Sequence, residues 1–261
     1  MKNTVVLLIA LTALSCAQKQ SSVETASITE KTALSNSKKV LFVTSNARHY
    51  GNTNIETTNN FPEIVYAYHE FVTADVTVDV ISPEGGQIPI GYINSSDTLL
   101  QKYLFNETLL QKLKNTLKPT EIAVGSYNAI YYVGGGSAMF TVPQNKAIQK
   151  IAQTIYEENS GIVAAICHGT AGIAKIQLSN GDFLVNGKSV SGFPDVFEDK
   201  SARYFQEFPF SIQEEIERNG GNFKYSDKGW DNFALSDDRL ITGQDPTGSG
   251  TVAKMVIEKI Q

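Results

Sequence analysis

Residues 161–173 constrain the fold of this chain more than any other stretch. The first half is a run of small and β-branched residues, long enough for one buried strand that ends at Cys167. His168 and Gly169 follow directly, and the small residues after them are able to start a helix. A strand, a sharp turn and a helix form a nucleophile elbow, which holds one side chain above the carboxyl edge of a sheet. The pattern therefore predicts a nucleophilic Cys167, with a buried structural cysteine as the alternative.

A helix that begins at Cys167 would also affect the sulfur. Its first N–H groups and the positive end of its dipole would lie beside the thiol, and both favour thiolate over thiol. Gly169 and Gly172 suit the tight turn and the close packing of helix on sheet that an elbow needs.

The size and charge of the chain limit its fold and its partners. Its 261 residues, 41% of them hydrophobic, are enough for one α/β domain with a full core. The net charge is −5 and basic residues do not cluster, which argues against a nucleic-acid partner. Because neither a Cys-x-x-Cys motif nor a Cys/His cluster is present, the sequence predicts no metal site, and no cofactor is expected.

The N-terminal residues have the pattern of a targeting segment. Lys2 precedes an apolar run at 5–14 that is too short to span a bilayer. The run ends in Ala-Leu-Ser before Cys16, which resembles a bacterial lipoprotein box with Cys16 as the lipidated residue. We expect a lipoprotein-type signal peptide over 1–16, with a plain secretory leader or an uncleaved anchor as alternatives. Residues 17–37 are polar and without periodicity, which predicts a flexible tether before a domain at 38–261.

This leader predicts a location in the bacterial cell envelope. The protein would be lipid-anchored and face the periplasm, or be secreted, and its only membrane contact would be the lipid on Cys16.

Strand-like and helix-like segments alternate along the rest of the chain. Apolar runs predict strands at 39–45, 76–82, 129–133, 161–166, 222–226 and 239–242. Helical patterns lie at 61–73, 99–117, 144–158, 211–219 and 248–259. Asn186-Gly187, within 183–190, predicts the turn of a β-hairpin. The alternation predicts a flavodoxin-like, doubly wound α/β fold with a mostly parallel sheet and helices on both faces.

Three histidines limit the chemistry that Cys167 can perform. His168 is the obvious partner of the thiol. No histidine lies further along the chain, so a triad that uses a histidine far downstream of the cysteine cannot form. An acid usually orients such a pair, and Asp195 and Glu198 are both candidates. His69 lies mid-helix among aromatic residues, where a packing or surface role is expected.

Two further features lie where predicted elements begin or end. Glu63 is in the first turn of a helix, where an acidic residue is favourable for capping alone. Gly134, Gly135 and Gly136 follow a strand, and they serve either as simple turn residues or as backbone donors to a reacting oxygen.

Four motifs together resemble the ThiJ/PfpI superfamily, whose fold is related to class I glutamine amidotransferases, and in particular its heat-shock, glyoxalase III-like branch. Residues 164–172 resemble that branch's Cys-His-Gly-Pro-Ala nucleophile motif, with Thr170 at the proline position. Residues 82–86 match its Ser-Pro-x-Gly-Gly motif. Phe-Pro-Phe at 208–210 resembles its Val-Pro-Phe, and Leu-Ile-Thr-Gly-Gln-Asp-Pro at 240–246 resembles its Leu-Ile-Thr-Gly-Gln-Asn-Pro. The resemblance extends from Val40 to the C-terminus.

The resemblance implies roles for individual residues. The branch carries a general base on its first helix, at the position of Glu63, twelve residues before Asp75. It carries the third member of the triad at the position of Glu198, five residues after Phe193. Its Gly-Gly-His-Gly loop corresponds to residues 134–137, so that Gly136 replaces a histidine.

The activity that the resemblance implies is a glutathione-independent glyoxalase reaction. A Cys167 thiolate would add to a 2-oxoaldehyde such as methylglyoxal and form a hemithioacetal. Amides near Gly135, Gly136 and His168 would stabilise the oxyanion. Glu63 would move a proton between the two carbons, and water would release a 2-hydroxy acid such as lactate.

Two other functions stay open for the same residues. One is a cysteine hydrolase of peptides or amides that uses the Cys-His-Glu set. The other is a non-catalytic stress or chaperone-like protein in which Cys167 senses oxidation. The superfamily resemblance also implies a possible homodimer.

Overall fold

The computed structural model describes residues 38–261, which form one compact unit. The predicted leader at 1–16, with Cys16, and the predicted tether at 17–37 lie outside the described residues. Among residues 38–261, no helix combines the length and the apolar character needed to cross a membrane.

A six-stranded sheet forms the centre of the fold. Its strands, in chain order, are β1 Lys39–Val43, β3 Thr77–Ile81, β5 Ala129–Tyr132, β6 Ile162–Ile166, β9 Ala234–Asp237 and β10 Leu240–Gly243. They lie side by side in the order β3-β1-β5-β6-β10-β9. All neighbouring pairs are parallel except β10 and β9, which run antiparallel at one edge. The carboxyl ends of β5 and β6 therefore meet at the same edge of the sheet.

Two short pairs lie outside this sheet. β2 Asn59–Asn60 pairs with β4 Ile90–Gly91, and β7 Ser189–Val190 pairs with β8 Asn222–Phe223, both in parallel. The α-helices of residues 38–261 are α1 Phe61–Thr73, α2 Thr98–Leu104, α3 Glu107–Lys114, α4 Lys146–Glu157, α5 Ile212–Arg218 and α6 Ser249–Ile260.

Helices cover both faces of the sheet. In β1, Val40 and Phe42 point to one face and Leu41 and Val43 to the other, because side chains alternate along a strand. The first face packs against α1, α2, α3 and α6, and the second against α4 and α5. Since both faces are covered, the strands read as continuous apolar runs. The predicted doubly wound α/β fold is confirmed.

The segment at 99–117, predicted as one helical stretch, is two helices. Phe105 ends α2, and the side chain of Asn106 accepts a hydrogen bond from the N–H of Leu109 at 2.9 Å, which caps the start of α3. The helical spacing of the leucines continues across this break, so the spacing alone does not reveal it. The capping residue Asn106 is the feature of the sequence that indicates a new helix.

The hairpin predicted at 183–190 is wrong. Asn186 and Gly187 do form a turn, but the N–H of Gly187 donates to the carbonyl of Gly220 at 2.9 Å. The strand that follows, β7, pairs in parallel with the distant β8 instead of folding back on residue 183. The edge strand β9, which the sequence analysis did not predict, is paired antiparallel to β10.

Candidate active site

Cys167 directly follows β6 and adopts a left-handed backbone conformation, with φ of +55°. Such a conformation is strained for a residue with a side chain and is common at functional sites. The chain continues as a short 3₁₀-helix, Cys167–Gly172, where the sequence predicted the start of an α-helix. This turn passes so close to β5 that a Cβ on Gly169 would collide with the carbonyl oxygen of Tyr132, which explains the glycine. The elbow is present, but the long helix dipole expected to favour a thiolate is not.

The structure brings Cys167, His168 and Glu198 into one hydrogen-bonded chain. The Sγ of Cys167 lies 3.3 Å from Nδ1 of His168, and Nε2 of the same ring lies 2.9 Å from Oε1 of Glu198. A carboxylate accepts only, so Nε2 carries a hydrogen and Nδ1 of the neutral ring is left to accept from the thiol. The ring is held in this orientation by Phe193, which stacks on it with centroids 4.8 Å apart.

The other candidate acid, Asp195, has a different function. Its Oδ1 accepts a hydrogen bond from the hydroxyl of Ser211 at 2.7 Å, and its Oδ2 lies 3.7 Å from Nζ of Lys200. Asp195 therefore contacts the start of α5, and Glu198 alone contacts His168. His69, as expected, takes a packing role on α1, where its Nδ1 lies 3.1 Å from the hydroxyl of Tyr103.

Glu63 is fully buried in the first turn of α1, with its carboxyl aimed at the elbow. The helix is capped by Asn60, whose side chain accepts from the N–H of Glu63 at 3.2 Å, so the Glu63 carboxyl is not needed as a cap. Its Oε2 accepts a hydrogen bond from the N–H of Gly134 at 2.7 Å. Its Oε1 has no nitrogen or oxygen partner among the described residues and is left to the neighbouring thiol of Cys167.

The ionisation of Glu63 and that of Cys167 depend on each other. Burial raises the pKa of Glu63 to about 8, against the opposing hydrogen bond from Gly134 and with a smaller push from the charge of Asp245. Burial also raises the pKa of the Cys167 thiol, and a charged Glu63 would raise it further. Two anions are not stable in contact at a buried site, so a thiolate at Cys167 requires a protonated Glu63.

The glycine loop after β5 lies against the same two residues. Gly135 has φ of +94°, and a Cβ there would lie 2.5 Å from the backbone nitrogen of Asn60. At Gly136 a Cβ would collide with the hydroxyl of Tyr50. The space that a histidine side chain would need at 136 is therefore taken by a tyrosine from the loop after β1. The backbone of both glycines lines the pocket beside Cys167 and His168.

Cys167 and His168 open into a pocket of about 400 Å³. Seven of the side chains that line the pocket are aromatic: Tyr50, Tyr92, Phe193, Phe197, Tyr204, Phe208 and Trp230. Apart from Phe193, which served only to locate Glu198, the sequence analysis missed these residues as part of the site. They come from loops far apart in the chain, and no local spacing joins them. Trp230 did carry a signal, as the only tryptophan of the chain.

Titratable residues do not form a metal site in the part of the chain that the structure describes. Nowhere in residues 38–261 do three or more His, Cys, Asp or Glu side chains converge in an arrangement that could hold an ion.

Two curated proteins from yeasts are similar to part of this chain. Glyoxalase 3 of Candida albicans is 30% identical over 154 residues, which are 56% of this chain and 63% of that protein. The probable glutathione-independent glyoxalase hsp3103 of Schizosaccharomyces pombe is 31% identical over 151 residues, 56% of this chain and 58% of that protein. The chain thus spans less than two thirds of the length of either relative.

Solved structures and a family profile extend the similarity over the whole domain. The crystal structure of the Francisella tularensis Rapid Encystment Protein 24 kDa superposes with a TM-score of 0.79 at 28% identity, covering 86% of this chain and 99% of that one. The profile of the DJ-1/PfpI family matches residues 56–259, from the loop before α1 to the end of α6. The chain therefore belongs to the DJ-1/PfpI family.

Proposed function

We propose that this protein is a glyoxalase III-like enzyme that converts a 2-oxoaldehyde such as methylglyoxal into a 2-hydroxy acid such as lactate, without glutathione. The names of its relatives from Candida albicans and Schizosaccharomyces pombe support this reaction class. The observation that carries the proposal is the carboxyl of Glu63, which is buried beside the Cys167 thiol, with one oxygen bound to Gly134 and the other facing the thiol. A proton transfer between adjacent carbons needs such an acid–base group, shielded from water, at the nucleophile.

The reaction begins with the thiol proton. Because burial keeps a proton on Glu63 at neutral pH, Glu63 is not available as the first base. The acceptor is Nδ1 of His168, 3.3 Å from the sulfur, and the carboxylate of Glu198 stabilises the imidazolium that results. The family resemblance implies a general base at Glu63; in the mechanism proposed here Glu63 first enters the reaction as an acid.

The thiolate then adds to the aldehyde carbon. A carbon–sulfur bond forms, the C=O π bond breaks, and the oxygen takes the proton of Glu63 to give a hemithioacetal. The backbone N–H groups of Gly135 and Gly136 would stabilise the charge that develops on this oxygen. Glu63 is left as a carboxylate, close to the carbon that formed the new bond.

Glu63 next acts as a base on that carbon. It removes the C1 hydrogen as a proton while the imidazolium of His168 protonates the ketone oxygen, and an enediol forms. Glu63 returns its proton to C2, and His168 takes back the proton of the C1 hydroxyl. C1 is thereby oxidised to a thioester and C2 reduced to an alcohol, with no external oxidant. Water cleaves the thioester and releases the 2-hydroxy acid and the thiol. The proton left on His168 returns to the Glu63 carboxylate, so both residues regain their starting states and the net change is addition of one water.

The test is consumption of methylglyoxal by the full chain in the absence of glutathione, with lactate as the measured product. Cys167→Ala and Glu63→Gln are compared with Glu70→Gln, which alters an acid on the same helix that faces Lys254 at the surface. We expect many turnovers in the parent and in Glu70→Gln, and at least a ~100-fold loss in the other two, the typical contribution of acid–base catalysis.

Turnover that persists in Cys167→Ala would contradict the thiolate mechanism. Turnover of esters or amides but not of 2-oxoaldehydes would favour the hydrolase alternative. Consumption of about one oxidant molecule per thiol, with no turnover of any of these substrates, would favour the oxidation sensor.

We also propose that the protein acts in the cell envelope, anchored by a lipid on Cys16. The apolar run at 5–14 and the Ala-Leu-Ser-Cys sequence support this location. Metabolic labelling with a radioactive fatty acid should mark the parent chain and leave Cys16→Ser unlabelled; equal labelling of both would contradict the proposal.

A further inference from the structure

The pocket is much larger than the reaction proposed above requires. About 400 Å³ is a volume typical of sites for drug-sized ligands, and methylglyoxal fills only a small part of it. The reacting groups Cys167, His168 and Glu198 lie on one wall. The rest of the surface is available to whatever substituent the 2-oxoaldehyde carries on its second carbon.

Trp230 lines the same pocket and is held there by an unusual local structure. It has φ of +45°, a strained conformation for a bulky residue, and its side chain remains 58% exposed. Its ring packs against Phe193 and Phe197, with centroids 6.1 Å and 5.6 Å away. A large apolar residue that is strained and still exposed contributes little to the stability of the fold, which indicates a role in binding.

A buried carboxylate fixes the backbone of Trp230. The N–H of Trp230 donates to Oδ2 of Asp245 at 2.8 Å, and Asp245 is fully buried. Asp245 also accepts hydrogen bonds from the backbone N–H and the hydroxyl of Thr247, at 3.0 Å and 2.6 Å. The side chain of Gln244 binds both Asp245 and the N–H of Ser226, so the start of the same loop is tied down as well. These hydrogen bonds hold in a fixed position the part of the pocket wall that Trp230 forms, the tryptophan wall.

The charges of the pocket limit what can occupy it. Among the described residues, no lysine or arginine lines it, and the acidic side chain on its wall is that of Glu198, which already contacts His168. A carboxylate or phosphate on the substrate would be buried without a counter-charge, which is unfavourable. Aromatic rings, in contrast, pack well against Trp230, Phe197 and Tyr92 in edge-to-face or offset contacts.

We propose that the preferred substrates are uncharged 2-oxoaldehydes that carry an aromatic ring, or a flat apolar group of similar size, on the second carbon. The aldehyde carbon lies at Cys167 and the ring lies against Trp230. This inference rests on the glyoxalase reaction proposed above and names the substrate class of the same site.

The first experiment compares kcat/KM of the full chain for phenylglyoxal, methylglyoxal and 4-carboxyphenylglyoxal, an anionic 2-oxoaldehyde. We expect phenylglyoxal to be favoured over methylglyoxal at least ~10-fold, the scale of a well-packed aromatic contact, and the anion 4-carboxyphenylglyoxal to be a poorer substrate than phenylglyoxal. Trp230→Ala should lower the ratio of phenylglyoxal to methylglyoxal about 10-fold, mainly through KM, and Trp230→Phe should restore most of it. Phe105→Ala, which removes an exposed aromatic side chain outside the pocket, should leave the ratio unchanged.

A second readout does not depend on turnover. Because Trp230 is the only tryptophan, its fluorescence reports directly on a ring bound beside it. Acetophenone, an unreactive phenyl ketone, should change this fluorescence with a saturable dependence on concentration, whereas acetone should not.

The outcomes separate the two proposals. If methylglyoxal and phenylglyoxal are turned over equally well, and Trp230→Ala does not change their ratio, the substrate class is wrong and the glyoxalase reaction stands. If no 2-oxoaldehyde is turned over, the glyoxalase reaction is wrong and the substrate class falls with it; saturable acetophenone binding would then show only that the pocket accepts aromatic rings.

Discussion

The Oε2 atom of Glu63 lies 2.7 Å from the backbone nitrogen of Gly134, so a buried carboxyl on α1 is bound to the loop that follows β5. This one contact joins the start of a helix, the glycine loop and the elbow, because the other carboxyl oxygen is left to Cys167. It also explains the glycine, since a Cβ at 134 would lie 2.7 Å from Oε2 and 2.8 Å from the carbonyl oxygen of Ile166.

Stability should decrease as the pH rises from about 4.5 to about 8. In this range the unfolded chain has already released the proton of Glu63, while the folded protein, where burial raises the pKa to about 8, still holds it. The folded state binds more protons, so its free energy of unfolding falls with pH, by an amount on the order of 4 kcal/mol over the whole range. Urea unfolding of the parent at pH 5.5 and pH 8 measures this effect.

Glu63→Gln is the control for the pH effect, because glutamine keeps the acceptor for Gly134 and cannot ionise. Its free energy of unfolding should change much less than that of the parent between the same two pH values. An identical change in both proteins would show that other groups cause the dependence.

Catalysis should also decrease at alkaline pH. Once Glu63 ionises, near pH 8, its charge opposes the thiolate and the proton for the substrate oxygen is lost. We expect kcat/KM to fall about 10-fold per pH unit above this value, with circular dichroism confirming that the protein is folded. A rate that keeps rising to pH 9.5 would contradict the acid role of Glu63.

Glu198→Gln should lower kcat by about 10- to 100-fold and leave KM nearly unchanged. The amide loses the charge that stabilises the His168 imidazolium across the 2.9 Å contact, while the shape of the site is kept. Asp195→Asn is a matched control, since that acid lies in the same loop and contacts Ser211 instead of His168. Steady-state kinetics of both variants test this prediction. If the two substitutions lower kcat equally, Glu198 has no place in the mechanism.

Gly136→Ala should destabilise the protein by about 1–3 kcal/mol, the usual cost of overpacking a tight site. The new Cβ would collide with the hydroxyl of Tyr50, and the side chain of Thr57 is 2.7 Å away. Gly125→Ala places the same methyl group in open space and should be nearly neutral. Urea unfolding of the two variants compares them, and unchanged stability in Gly136→Ala would mean that Tyr50 moves aside freely.

The proposed reacting residues were reached from the sequence in two different ways. Cys167 stands at the end of a buried strand, which is a local pattern, whereas Glu63 and Glu198 were selected through the family resemblance, by their distances from Asp75 and Phe193. The parallel sheet followed from alternating strands and helices, whose partners are set by crossovers of ordinary length. These features depend on residues close together in sequence.

The pocket wall was not predictable in the same way. Tyr50, Tyr92 and Trp230 come from three separate loops, and they meet only once the sheet is assembled. The short 3₁₀-helix after Cys167 was missed because small residues allow either kind of helix, and its close approach to Tyr132 is a tertiary effect. At Asn186-Gly187 the local sequence correctly predicts a turn, but the strand that follows pairs with the distant β8 instead of forming a hairpin.

Because Trp230 is attached to Asp245, the reacting groups and the tryptophan wall of the site belong to two different parts of the chain. The reacting groups are supplied by segments up to residue 198, whereas the tryptophan wall and its anchor come from residues 226–247. Sequence changes in the later segment can reshape the wall while the sulfur, the imidazole and the two carboxyls keep their positions. Natural variation among relatives, or a laboratory library that is confined to this loop and retains Asp245, can thus explore new substrates while the reacting groups stay in place, since the charge of Asp245 also acts on Glu63.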